Sequence, residues 1–147
     1  MRLPAGIAVL ALALGPLAGC SEDPYAEYCE RVEENQADLT RVLGDAGDEG
    51  LLAALPIFTE LSEAAPRDLV DEWDRVVGSL TRLRDTLEAE GVEPGEYDAA
   101  NPPEGLDAAA IGRIEAAAER VAAPETIEAL GGIEQHARDV CQTPLSL

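Results

Sequence analysis

Residues 66–87 read PRDLVDEWDRVVGSLTRLRDTL, and the spacing of their apolar side chains decides the fold. Leu69, Trp73, Val76, Leu80, Leu83 and Leu87 recur at alternating steps of four and three. On a helix of ~3.6 residues per turn this aligns them along one face. About three heptads of such a seam require other helices to bury it. Val70 and Val77 flank the seam and are expected to widen it, as burial in a bundle requires. Pro66 is placed to open this helix, because the N–H it lacks is one that a helix start leaves unpaired. Gly91 is placed to stop it.

The same period runs outward on both sides. Asp23-Pro24 reads as a cap followed by proline at the first helical position. Tyr25, Tyr28, Cys29, Val32, Leu39, Val42 and Leu43 then form one stripe, with Gln36 its single polar member. The acidic, glycine-rich run GDAGDEG over 44–50 ends that helix in a turn. A second segment carries Leu51, Leu52, Leu55, Phe58, Leu61 and Ala65, and Pro56 inside it predicts a kink or a late start. Beyond Gly105, Leu106 precedes a cap at Asp107 and is placed to staple onto Ile111, with Ile114, Ala118 and Val121 continuing the face. Pro124 opens the last helix, whose expected stripe is Ile127, Leu130, Ile133, Ala137, Val140 and Cys141. Gly131-Gly132 weakens it unless a close helix crossing needs them. No segment alternates as a strand would. The expectation is an all-α fold, a bundle of four main helices with the second kinked or split.

One connection stands apart. The residues from Gly91 to Gly105 hold Pro94, Pro102, Pro103 and Tyr97 among four acids, a length uncommon in compact bundles and often functional.

The N-terminus carries a different message. Met1-Arg2 supplies a positive charge and Leu3 to Gly19 is free of charge, the order of a secretory signal. Gly15-Pro16 would interrupt a membrane-spanning helix there. The stretch ends in Leu17, Ala18, Gly19 and Cys20, which match in turn the four positions of a lipobox, so the chain resembles a bacterial lipoprotein precursor. The resemblance implies a signal peptide over 1–19, cleavage before Cys20, and acylation of Cys20 with diacylglycerol and a further palmitate-type chain. Two chains or more make such anchoring durable. Residues 20–24 would be a lipidated tether and 25–147 a single domain on the extracytoplasmic face of the cell membrane. All ten basic residues are Arg, and this Lys-free, Ala- and Gly-rich composition resembles that of small helical lipoproteins of actinobacteria. With Cys20 lipidated, Cys29 and Cys141 remain in an oxidising compartment and are expected to bond to each other, linking the first and last helices. The alternative is two separate buried thiols. A bond would place both chain ends at one end of the bundle. The tether spans at most ~14 Å, so the bundle would sit against the bilayer.

Charge and chemistry bound the function. Thirty acids give a net charge of −20, which repels nucleic acid and attracts cations or basic surfaces. His136 is the sole imidazole, so no Ser–His or Cys–His pair can be read; its spacing places it at the edge of the last helix's seam. Without Lys there is no Walker-type phosphate loop, and no glycine-rich dinucleotide motif follows a strand. Asp45, Asp48 and Glu49 lack the spacing of a calcium loop. No catalytic residue, metal site or cofactor is expected, and the chain is not read as an enzyme. Glu30, Glu34 and Asp38, with Glu27, line one face of the first helix. Helix-surface pairs are expected from Glu27 to Arg31, Asp71 to Arg75 and Glu134 to Arg138. Tyr25, Tyr28, Phe58 and Trp73 fall on core stripes, whereas Tyr97 lies in the long loop, where an aromatic can anchor a partner or fold back over the bundle. Tyr97, Glu30, Glu34 and Asp38 are therefore the candidate contact residues of a non-catalytic, membrane-anchored interaction module with an envelope protein as partner. The alternative is a lipoprotein that binds a small molecule or a divalent cation.

Overall fold

The computed structural model describes residues 23–45 and 50–145. Leu17, Ala18, Gly19 and Cys20, with the signal and most of the tether, lie outside them. The described residues form six α-helices and no strand: α1 (Ala26–Asp45), α2 (Gly50–Ala53), α3 (Leu55–Glu63), α4 (Val70–Ala89), α5 (Ala108–Val121) and α6 (Pro124–Asp139). A 3-10 turn at Pro94–Glu96 sits in the connection between α4 and α5. The all-α expectation holds. The described helices number six rather than four main ones, since the second expected segment is split ahead of Pro56 and the segments on either side of Pro124 are separate helices. Pro56 has no N–H to continue the helix begun at Gly50, so the chain turns at Ala54 and α3 starts afresh at Leu55. Pro124 likewise begins α6 after a break at Ala122 and Ala123.

The seam over 66–87 is the centre of the molecule. Trp73, Val76, Leu80 and Leu87 are buried on α4, with Leu69 buried just before it. α3, α5 and α6 all pack on α4, while α1 packs on α2 and α3. Pro66 opens a turn closed by the Leu69 N–H on its carbonyl at 2.9 Å, and the α-helix proper starts at Val70. Val77 widens the seam as expected, but Val70 points outward and is 40% exposed. Gly91 ends α4 with φ +70, a conformation that costs glycine no Cβ clash. Gly50 answers a different need. A Cβ there would lie 3.2 Å from the Leu43 backbone, so glycine lets α1 and α2 approach closely.

In α6 the expected stripe holds at Ile133 and Ala137, which are buried, but not at its start, where Ile127 is 58% exposed and Thr126 and Ala129 face inward. Thr126 can be buried because its hydroxyl donates to the Arg120 carbonyl at 2.8 Å, tying the α5–α6 corner. Gly131 has no neighbour within 4 Å of an added Cβ, and Gly132 meets only the Glu72 side chain at 3.8 Å, so no close crossing explains the pair.

Cys29 and Cys141 are joined by a disulfide, with Cα atoms 5.0 Å apart and a separation of 112 positions in sequence. The two ends of the described chain therefore meet at one end of the bundle. Past the disulfide the chain folds back. Gln142 takes φ 56, the Thr143 N–H bonds the Ala137 carbonyl, and Leu145 is fully buried with its N–H on the Glu134 carboxylate at 3.1 Å.

Two apolar clusters result. The larger gathers Tyr28, Val32, Leu39, Phe58, Leu61, Trp73, Ile133 and their neighbours around the disulfide end and the middle of the bundle. The smaller joins Leu87, Val92 and Ile114, with Leu52, Leu83, Tyr97 and Leu106 packed against it.

Candidate functional site

The expected contact residues do not converge. Glu30, Glu34 and Asp38 are exposed on α1, and two of them are occupied locally: Glu34 pairs with Arg31 at 3.3 Å and Asp38 with Arg41 at 2.8 Å. Arg31 also reaches Glu60 of α3 at 3.4 Å rather than Glu27, and the expected Asp71–Arg75 pair does not form. Glu134–Arg138 does, at 3.0 Å. None of the three α1 acids lines the cleft that holds Tyr97.

Tyr97 folds back onto the bundle. The segment after Gly91 crosses the far end of α4 and α5 as a strap, and local geometry shapes it. Val92 is buried with its N–H on the Leu87 carbonyl, the 3-10 turn follows, and Asp98 caps a turn by accepting from the Ala100 N–H at 2.8 Å and the Asn101 side chain at 3.1 Å. These two donors hold the Asp98 carboxyl below its usual range, so it stays ionised. Asp107 then caps α5, accepting from the Ala110 N–H at 2.7 Å. Every hydrogen bond made by residues 93–106 stays within that segment, among the described residues. Apolar packing of Tyr97 and Leu106 is what holds the strap to the helices.

Between strap and helices lies a cleft of about 600 Å³. Leu52 from α2, Leu83 and Leu87 from α4, and Ile114 and Ala118 from α5 supply its apolar side. Pro94, Glu96, Tyr97 and Asp98 supply the strap side, and no basic residue lines it. The Tyr97 hydroxyl is buried and has no hydrogen-bond partner. Burial, and then the charge of Glu115, push its pKa up, so it remains a protonated donor. At the edge of this end of the bundle Arg113 of α5 grips Glu90 in fork geometry at 2.7 and 3.1 Å, holding that carboxyl below its ordinary range.

His136 sits at the other end, edge-on to the rings of Tyr25 and Tyr28 at 5.2 and 5.7 Å. Both its nitrogens are buried without a hydrogen-bond partner, and the nearest carboxylate, Asp68, lies 3.8 Å from Nε2. The expected edge position is thus a packed one. Among the described residues no three His, Cys, Asp or Glu side chains group to hold a metal ion, and no helix is long and apolar enough to cross a membrane.

The sequence singled out Tyr97 and its loop but not the cleft beneath, since Leu52, Leu83 and Ala118 read simply as stripe residues. No protein-family model, curated protein or solved structure matches this chain.

Proposed function

We propose that the protein is a lipid-anchored, extracytoplasmic module of the cell envelope that binds and does not catalyse. The observation that carries this reading is the Leu17-Ala18-Gly19-Cys20 lipobox after a charge-free run, followed by a Cys29–Cys141 disulfide of the kind that persists in oxidising compartments. On this reading Cys20 is acylated, and the short tether sets the disulfide end against the bilayer. The strap end, with its cleft and acidic rim, then faces away from the membrane and is the surface offered to an envelope partner. Replacing Cys20 by Ala should leave an uncleaved precursor or release the protein from membranes. A correctly cut product that stays membrane-bound would sink the anchor. Cross-linking in intact membranes should recover a protein partner through the strap; recovery of none would count against the interaction role.

A second reading, a small-molecule-binding lipoprotein, is favoured by one specific observation. The cleft lies within the ~300–1,000 Å³ range of ligand sites and is lined in part by Tyr97, whose hydroxyl is buried without a partner.

A further inference from the structure

Resting on the small-molecule reading of the cleft, we propose that it takes an organic ammonium: a compact apolar body carrying a primary or secondary amine. Four features of the cleft point to this class. The side formed by Leu83, Leu87, Ile114 and Ala118 rewards an apolar body. Glu96 and Asp98 line the strap side with no basic residue opposite them, and the charge of Glu115 acts on Tyr97. A carboxylate or phosphate ligand would enter against these charges on a chain already at −20, whereas a cation is drawn in. Tyr97 lines the cleft, and its hydroxyl, closed off and without a partner while the strap is down, becomes an acceptor for an ammonium N–H once the strap lifts. Access is built in, because residues 93–106 of the strap make no hydrogen bond to any helix among the described residues and lift by separating apolar contacts alone.

The test uses the full chain with its disulfide intact, at physiological salt, and three probes of one shape: 2-phenylethylammonium, 2-phenylethanol and 3-phenylpropionate. Binding is read from methyl NMR shifts at Leu83, Leu87, Ile114 and Ala118, which separates the cleft from diffuse attraction to the acidic surface. The ammonium should shift these methyls saturably, at least tenfold more tightly than the alcohol, with the carboxylate weakest. In Glu96→Gln/Glu115→Gln, whose replaced groups make no hydrogen bond in the fold, the ammonium should lose about tenfold and the alcohol nothing. Tyr97→Phe should weaken the ammonium while the apolar contacts stay. If alcohol and ammonium bind the cleft equally, the ligand class is wrong and the small-molecule reading stands. If no probe shifts the cleft methyls, both fall.

Discussion

Deep in the larger core, the Trp73 indole N–H donates to the Tyr28 hydroxyl at 3.2 Å, with both rings essentially inaccessible to water. Two polar groups are thereby satisfied inside an apolar cluster, and each depends on the other. Burial, opposed only in part by the Trp73 hydrogen bond, pushes the Tyr28 pKa from 10.0 up to about 12. The unfolded chain therefore ionises first as pH rises. The stabilisation is complete below pH ~10 and is lost as pH climbs through the folded-state value, a swing of order 3 kcal/mol at ~1.4 kcal/mol per pKa step. Urea titrations at pH 8.5 and 11.5 should show about 2 kcal/mol of that drop, and Tyr28→Phe should remove much of it. The same variant strands the indole N–H and should cost about 1–3 kcal/mol at neutral pH.

Helix ends and helix interiors differ in how much they owe to their neighbours. α5 begins on a side-chain cap, Asp107 to the Ala110 N–H, so Asp107→Ala should destabilise by about 1 kcal/mol in thermal or chemical unfolding. α6 carries Gly131 in open space. Ala there meets nothing and removes backbone entropy from the unfolded chain, so Gly131→Ala should stabilise by about 0.5–1 kcal/mol in the same measurement. A loss instead would mean that the glycine serves a contact absent from the isolated fold. Capping was legible in the sequence because it depends on residues three apart. The inward face of α6 was not. Periodicity admits Thr126 or Ile127 as the buried position, and only the Arg120 carbonyl, supplied by another helix, makes threonine acceptable inside.

Across the whole molecule the disulfide is the longest-range constraint. It closes a loop of 112 residues, nearly the entire domain. Constraint of the unfolded chain is then worth up to ~4–5 kcal/mol in the loop-entropy model. Cys29→Ser/Cys141→Ser should lower the unfolding free energy by several kcal/mol, and a change under 1 kcal/mol would show that helix packing already holds those ends together.

Local spacing in the sequence was enough to settle the helical class, the α4 seam, an interruption at Pro56 and the Asp107 cap, which follow from periodicity or from backbone chemistry within a turn. The pairing of Cys29 with Cys141 was expected only through the resemblance that assigns Cys20 to a lipid, and separate thiols were the alternative. Only the tertiary structure decided which way Tyr97 turns, that its loop straps the far end of α4 and α5, and that a cleft lies beneath. Those outcomes depend on how side chains from α2, α4 and α5 fail to fill the space they share. A packing remainder of that kind has no signature along the chain.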